Sequence, residues 1–225
     1  MKTSILNSTK FFTVLALALS FVLASCEKDD KVEGPSAVND QIIAVPFFVE
    51  TAESEMPSSP EQVLYTKNQH QPILAPDGKQ VTWSEFTAVK GQASASCTDQ
   101  GTRVTLNLTG LIPNGVYTIW NASFESPGFD PTDAMLGIDG LGAAGKGDGS
   151  DNIITASATG TGSITLVSPG GDLSLFGRIG ACSLVDDFEW HVVGAYHIDG
   201  QSYGPIIGPD GTYVEQFAFA FVKGN

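Results

Sequence analysis

Basic residues are scarce in this chain: 11 lysines and arginines stand against 25 aspartates and glutamates, a formal net charge of −14 over 225 residues. So acidic a surface repels phosphate backbones, which excludes nucleic acid as a partner and disfavours anionic lipid headgroups. Long apolar runs are missing too. The apolar stretch at the start, residues 11–25, falls short of the ~20 residues a membrane-spanning helix needs, and charged residues follow it at once. No segment carries a long helical heptad, which turns the fold class away from helices. Cysteine is limited to Cys26, Cys97 and Cys182. Neither of the last two has a second ligand at close spacing, so a structural zinc site is excluded. No catalytic or cofactor motif stands out, so the sequence points to an address and a fold class rather than to an activity.

The address lies in the first 30 residues. Lys2 and Lys10 make a basic start, an apolar stretch follows from Phe11, and small residues close it at Ala24 and Ser25. That is the layout of a secretory signal peptide over residues 1–25. Leu23-Ala24-Ser25-Cys26 resembles the lipobox of bacterial lipoproteins, which implies cleavage before Cys26 and lipidation of its thiol. Each buried methylene of an acyl chain adds about 0.8 kcal/mol of membrane affinity, so several chains on one residue anchor firmly. Glu27-Lys28-Asp29-Asp30 resembles the acidic export signal of Bacteroidetes-type surface lipoproteins, which implies the outer face of the outer membrane. The plain alternative is a solvated spacer between globule and headgroups. Residues 26–40 are read as a lipidated tether, with the lipid anchor as the only membrane contact.

With Cys26 lipidated, Cys97 and Cys182 remain as an even pair in an oxidising compartment, where a disulfide is the natural state. Two buried free thiols are the alternative. Residues 41–225 are expected to form one module. Val104, Leu106 and Leu108 alternate with Arg103, Thr105 and Asn107, and Pro113-Asn114-Gly115 makes a turn into a second alternating run, Val116 to Phe124. Bulk on both faces of that run predicts a central strand. Further hairpins centre on Pro76-Asp77-Gly78 and Gly160-Thr161-Gly162, and Ser84 is a candidate cap for one helical turn through Phe86. Phe217, Phe219 and Phe221 share a face near the end. Nine or ten short strands broken by Gly, Pro, Asn and Asp predict an all-β fold, a single antiparallel β-sandwich of Ig-like or jelly-roll type with a long Gly/Asp-rich loop.

That loop, residues 125–152, is almost without strand pattern. Asp130, Asp133, Asp139, Asp148, Asp151 and Asn152 offer hard oxygen ligands on a glycine-rich backbone, a composition suited to calcium, although the EF-hand spacing is missing. A flexible solvated loop, or the rim of a ligand groove, fits the same composition. His191 and His197 share a face of a straight strand roughly 20 Å apart, too far to bind one metal. His197, Asp199, Gln201 and Tyr203 cluster at a strand end and can present polar groups to a ligand; a hydrogen-bonded turn is the bland reading. Alternation places Trp120 and Trp190 in the core and leaves Trp83 and Tyr203 as aromatics for stacking on a sugar.

The segments "GLIPNGVYTIW" and "AYHIDGQSYG" resemble segments of secreted β-rich bacterial proteins, over roughly residues 83–223. The resemblance implies no activity. The expectation is a surface-tethered, non-catalytic module that binds a glycan or a surface protein. A glycan hydrolase using carboxylates of the long loop, and a structural subunit of a surface assembly, are the alternatives.

Overall fold

In a computed structural model, residues 32–124 and 137–222 are described. The chain is an antiparallel β-sandwich. One layer has four strands in the order β1 (Val32–Asn39), β5 (Lys90–Thr98), β6 (Gly101–Thr109) and β10 (Gly162–Ser168). The other has six: β2 (Ile43–Ala44), β14 (Tyr213–Phe221), β13 (Glu189–His197), β7 (Val116–Phe124) and β8 (Ile138–Ala143), with β9 (Ile153–Thr155) also pairing β7. Two short hairpins stand outside the layers, β3 (Val49–Glu50) with β4 (Tyr65–Thr66), and β11 (Gly171–Asp172) with β12 (Arg178–Ile179). Among the described residues no helix is long and apolar enough to cross a membrane.

The alternation of β6 behaves as its sequence predicts, with Val104, Leu106 and Leu108 buried and Asn107 exposed. β7 is central in its sheet, with β13 on one side and β8 and β9 on the other, and both its faces are buried, Tyr117 and Ile119 in the main core and Trp120, Ala122 and Phe124 in a second cluster on the outer face. The main core lies between the layers and includes Leu106, Ile119, Trp190, Tyr196 and the stripe Phe217, Phe219, Phe221. The outer face of the six-stranded sheet is not left to water. Trp120, Phe124, Val193 and Ala195 form a second buried cluster there, covered in part by Val45, Phe48 and Ile207.

Three expectations need correction. Residues 32–39, read as tether, form edge strand β1, paired with β5 from Ser36↔Ser96 to Asn39↔Ala93 after a register shift. The run contains Gly34 and Pro35, which suit a bulged edge and blank the side-chain signal. The 125–152 loop is not strandless, since β8 occupies Ile138–Ala143. The single turn α1 (Trp83–Phe86) is capped by Thr82 rather than Ser84: Thr82 Oγ1 accepts from the Glu85 amide, and the Glu85 side chain accepts from the Thr82 amide. That is a reciprocal capping box.

The cysteine pair is a disulfide. Cys97 on β5 is bonded to Cys182, their Cα atoms 5.3 Å apart and 85 positions apart in sequence. It ties the four-stranded layer to the segment that enters β13, and closing so long a loop contributes on the order of 4 kcal/mol.

Candidate functional site

β13 carries Glu189, His191, Val193, Ala195 and His197 on the outer face of its sheet. The two histidines do share a face. They also share burial, each 1% exposed, because the second cluster covers that face. At one end His191 Nε2 and Glu189 Oε1 form a buried pair, with the Phe124 ring 4.6 Å from the imidazole. Burial holds the His191 imidazole below the usual histidine range, and Glu189 opposes that shift.

At the other end His197 Nε2 lies 2.7 Å from Thr118 Oγ1, which also accepts from Trp120 Nε1 at 2.7 Å. Burial again lowers the imidazole, with Asp199 pulling the other way. The buried Nδ1 of His197 has no hydrogen-bond partner among the described residues. Beyond His197 the chain turns. Asp199 Oδ1 accepts from the Gln201 amide at 3.1 Å, and Tyr203 donates its hydroxyl hydrogen to Asp199 Oδ2. That bond raises the Tyr203 phenol above its ordinary value. The half-buried Tyr203 ring sits 6.2 Å from the His197 ring and lies against Gly208.

The loop 144–152 closes on this turn. A Cβ at Gly149 would lie 2.1 Å from the Gly204 carbonyl oxygen, so the two backbones touch. The structure therefore brings the Asp148–Gly149 backbone to Gly204, one residue after Tyr203. The acidic side chains brace the loop. Asp151 Oδ1 accepts from the Lys146 amide at 2.8 Å, and Asp148 Oδ1 from the Ser150 amide at 3.0 Å. The Ser150 bonds lower the Asp148 carboxyl. Asn152 is fully buried and donates to the Ile119 carbonyl at 2.9 Å. Asp139 sits apart on β8, while Asp130, Asp133 and Cys26 lie outside the described residues. Among the described residues no group of three or more His, Cys, Asp or Glu is placed to hold a metal.

Trp83 does not join the rim. It is half-buried on α1, stacked on Phe86 at 6.1 Å and packed against the main core. Two clefts lie elsewhere. One of about 550 Å³ runs between β1 and the end of β14, and one of about 320 Å³ sits beside the disulfide. Each is lined by one carboxylate, Asp40 in the first and Asp99 in the second, so neither has the facing pair that glycoside hydrolysis needs.

No family model matches the chain. No curated protein matches it either. Among solved structures it is similar to a Cu/Zn superoxide dismutase from Brucella abortus, with 17% identity and a TM-score of 0.39 over 84% of this chain and 100% of that one. A likeness so slight carries no argument about this chain.

Sequence reading overlooked two short strings and one pair of residues. Gly140-Leu141-Gly142-Ala143-Ala144-Gly145 matches the dinucleotide fingerprint, and Gly200-Gln201-Ser202-Tyr203-Gly204 matches the serine-hydrolase elbow. Both motifs work only where a strand feeds a helix. Here the first runs along β8 into a loop and the second lies in the turn after β13, and neither opens a helix. The overlooked pair is Glu50 with His70. Glu50 is 7% exposed, and its Oε1 lies 2.6 Å from His70 Nδ1 and 3.3 Å from Ser54 Oγ. Its only sequence signal is a histidine in a polar stretch, "TKNQHQP", because the contact depends on the pairing of β3 with β4.

Proposed function

We propose that this chain is a lipoprotein held by acyl chains on Cys26 at the outer face of the outer membrane, and that its sandwich grips a glycan or another extracellular macromolecule. The lipobox-like LASC and the acidic residues after it support the address. The observation that carries the binding reading is the closure of two polar loops, 144–152 and 198–212, at one rim through the Gly149–Gly204 contact. This rim presents Tyr203 beside Asp199 and Gln201. A half-buried phenol ring held by a carboxylate at its hydroxyl offers a face for a sugar ring, and the neighbouring amide and carboxylate offer hydrogen bonds at its edge.

The test has two parts. Cys26→Ser is expected to move the protein out of the membrane fraction; continued sedimentation with membranes refutes the anchor. The same exported, unlipidated chain is expected to retain glycans on a printed array, with and without chelator, and Tyr203→Ala to lose them. An array without a single retained glycan under either condition refutes glycan binding.

A further inference from the structure

We infer that His70 forms a second subsite of the same rim and that the pair of subsites selects neutral, hydroxyl-rich glycans over acidic ones; this rests on the glycan-binding reading above. Three observations converge on His70. First, its orientation is built. The buried Glu50 carboxylate accepts a hydrogen from Nδ1 at 2.6 Å, and a carboxylate has only lone pairs to offer, so Nδ1 carries the hydrogen and Nε2 is the nitrogen left to face outward. The ring lies flat on Tyr65, centroids 4.7 Å apart and planes 11° apart. The side chain is still 46% exposed, and no described residue hydrogen-bonds Nε2.

Second, the backbone is held in a conformation that side chains avoid. Three described non-glycine residues have left-handed φ: Ser54 at 61°, His70 at 49° and Asn114 at 59°. Asn114 makes a hairpin turn. The other two both direct their side chains to Glu50 Oε1. Such positions cost free energy and persist where the surroundings over-determine them, which is characteristic of ligand clamps. Third, His70 adjoins the rim. A Cβ at Gly211 would lie 3.1 Å from Gln69 Cβ and 3.2 Å from Gln71 Cγ, so the 209–212 turn packs against both glutamines that flank His70. Thr212, next along, borders the Tyr203 side chain. The neighbours of His70, Gln69 and Gln71, thus meet the turn whose Thr212 reaches Tyr203.

Amide, imidazole and phenol groups in fixed orientation suit alternating hydroxyl donors and acceptors. The acids of the rim are Glu50, Asp148, Asp151, Asp199 and Asp210 and its cations Lys67 and Lys146, so on a chain of net charge −14 the balance is negative and repels uronate or sialate carboxylates.

The probe is a printed array with matched neutral and acidic glycans, read with the unlipidated Cys26→Ser chain and variants. His70→Asn keeps a residue that tolerates left-handed φ and removes Nε2. It is expected to weaken the retained neutral glycans about tenfold, the value of one hydrogen bond. Glu50→Gln is expected to weaken them as well and to change the imidazole nitrogen shifts, which in the parent report the hydrogen on Nδ1. If the parent binds neutral glycans and His70→Asn binds them equally, the subsite is refuted while the rim reading stands. Preference for acidic glycans refutes the selectivity. A parent that retains no glycan refutes both.

Discussion

The described residues include two glutamate–histidine pairs built in opposite ways. Glu189 and His191 are two apart on one strand, and the strand's own periodicity brings them together; both are sealed under the second cluster. Glu50 and His70 are twenty apart, come from a hairpin and a folded-back turn, and keep half of one imidazole in water. The sealed pair is enclosed by packing, with Glu189 4% and His191 1% exposed. The open pair carries backbone strain, orders one ring and leaves one nitrogen available. Identical chemistry thus serves a core in one place and a surface in the other, and exposure decides which.

The largest expected effect separates the two pairs. Glu189→Ala takes the carboxylate away from a neutral, buried imidazole and is expected to cost about 2–3 kcal/mol in urea unfolding. Glu50→Ala is expected to cost less, about 0.5–1.5 kcal/mol, because water can reach His70. Equal losses would erase the distinction.

A third carboxylate sharpens it. Glu215 stands opposite Ala195 on the outer face of β14, and burial pushes its carboxyl up to about 7 from 4.5. Between those values the folded chain binds a proton that the unfolded chain releases, so stability falls as pH rises through the window, by on the order of 1–3 kcal/mol. His191 and His197 act in the opposite sense. Burial lowers both, so below about pH 6.5 the unfolded chain takes up protons the folded one refuses, and stability falls with acid. Glu215→Gln is therefore expected to leave the histidines in control, with unfolding midpoints rising from pH 5 to 7. A Glu215→Gln variant whose midpoints still decline over that range would contradict the assignment.

The smallest effect concerns the open pair's backbone. His70→Asn and His70→Val both give up the hydrogen bond to the buried Glu50 carboxylate, but His70→Val also forces a β-branched residue into left-handed φ and is expected to be less stable than His70→Asn by about 1–2 kcal/mol. Equal midpoints for the two would show that the turn is not strained.

Features written in side-chain alternation were legible from the sequence. Val104, Leu106 and Leu108, the Pro113-Asn114-Gly115 turn, and the shared face of His191 and His197 all follow from period two. β8 was not legible, because Gly140 and Gly142 supply half of its alternation and have no side chain to signal it. Their bareness is structural, since a Cβ at Gly142 would lie 2.5 Å from the Ser174 amide nitrogen. β1 was hidden by Gly34 and Pro35. At the rim, the His197–Tyr203 cluster was visible, but the contact of Gly204 with Asp148 and Gly149 was not, because it depends on two loops folding onto one another. Glu50 and His70 were invisible for the same reason.

The Cys97–Cys182 bond has a consequence for durability. Every peptide bond from residue 97 to residue 182 lies inside a covalent ring, so a single protease cut there opens the ring without dividing the molecule. A clipped copy would run as one piece on a non-reducing gel and as two fragments after thiol treatment, its sandwich still closed around the wound.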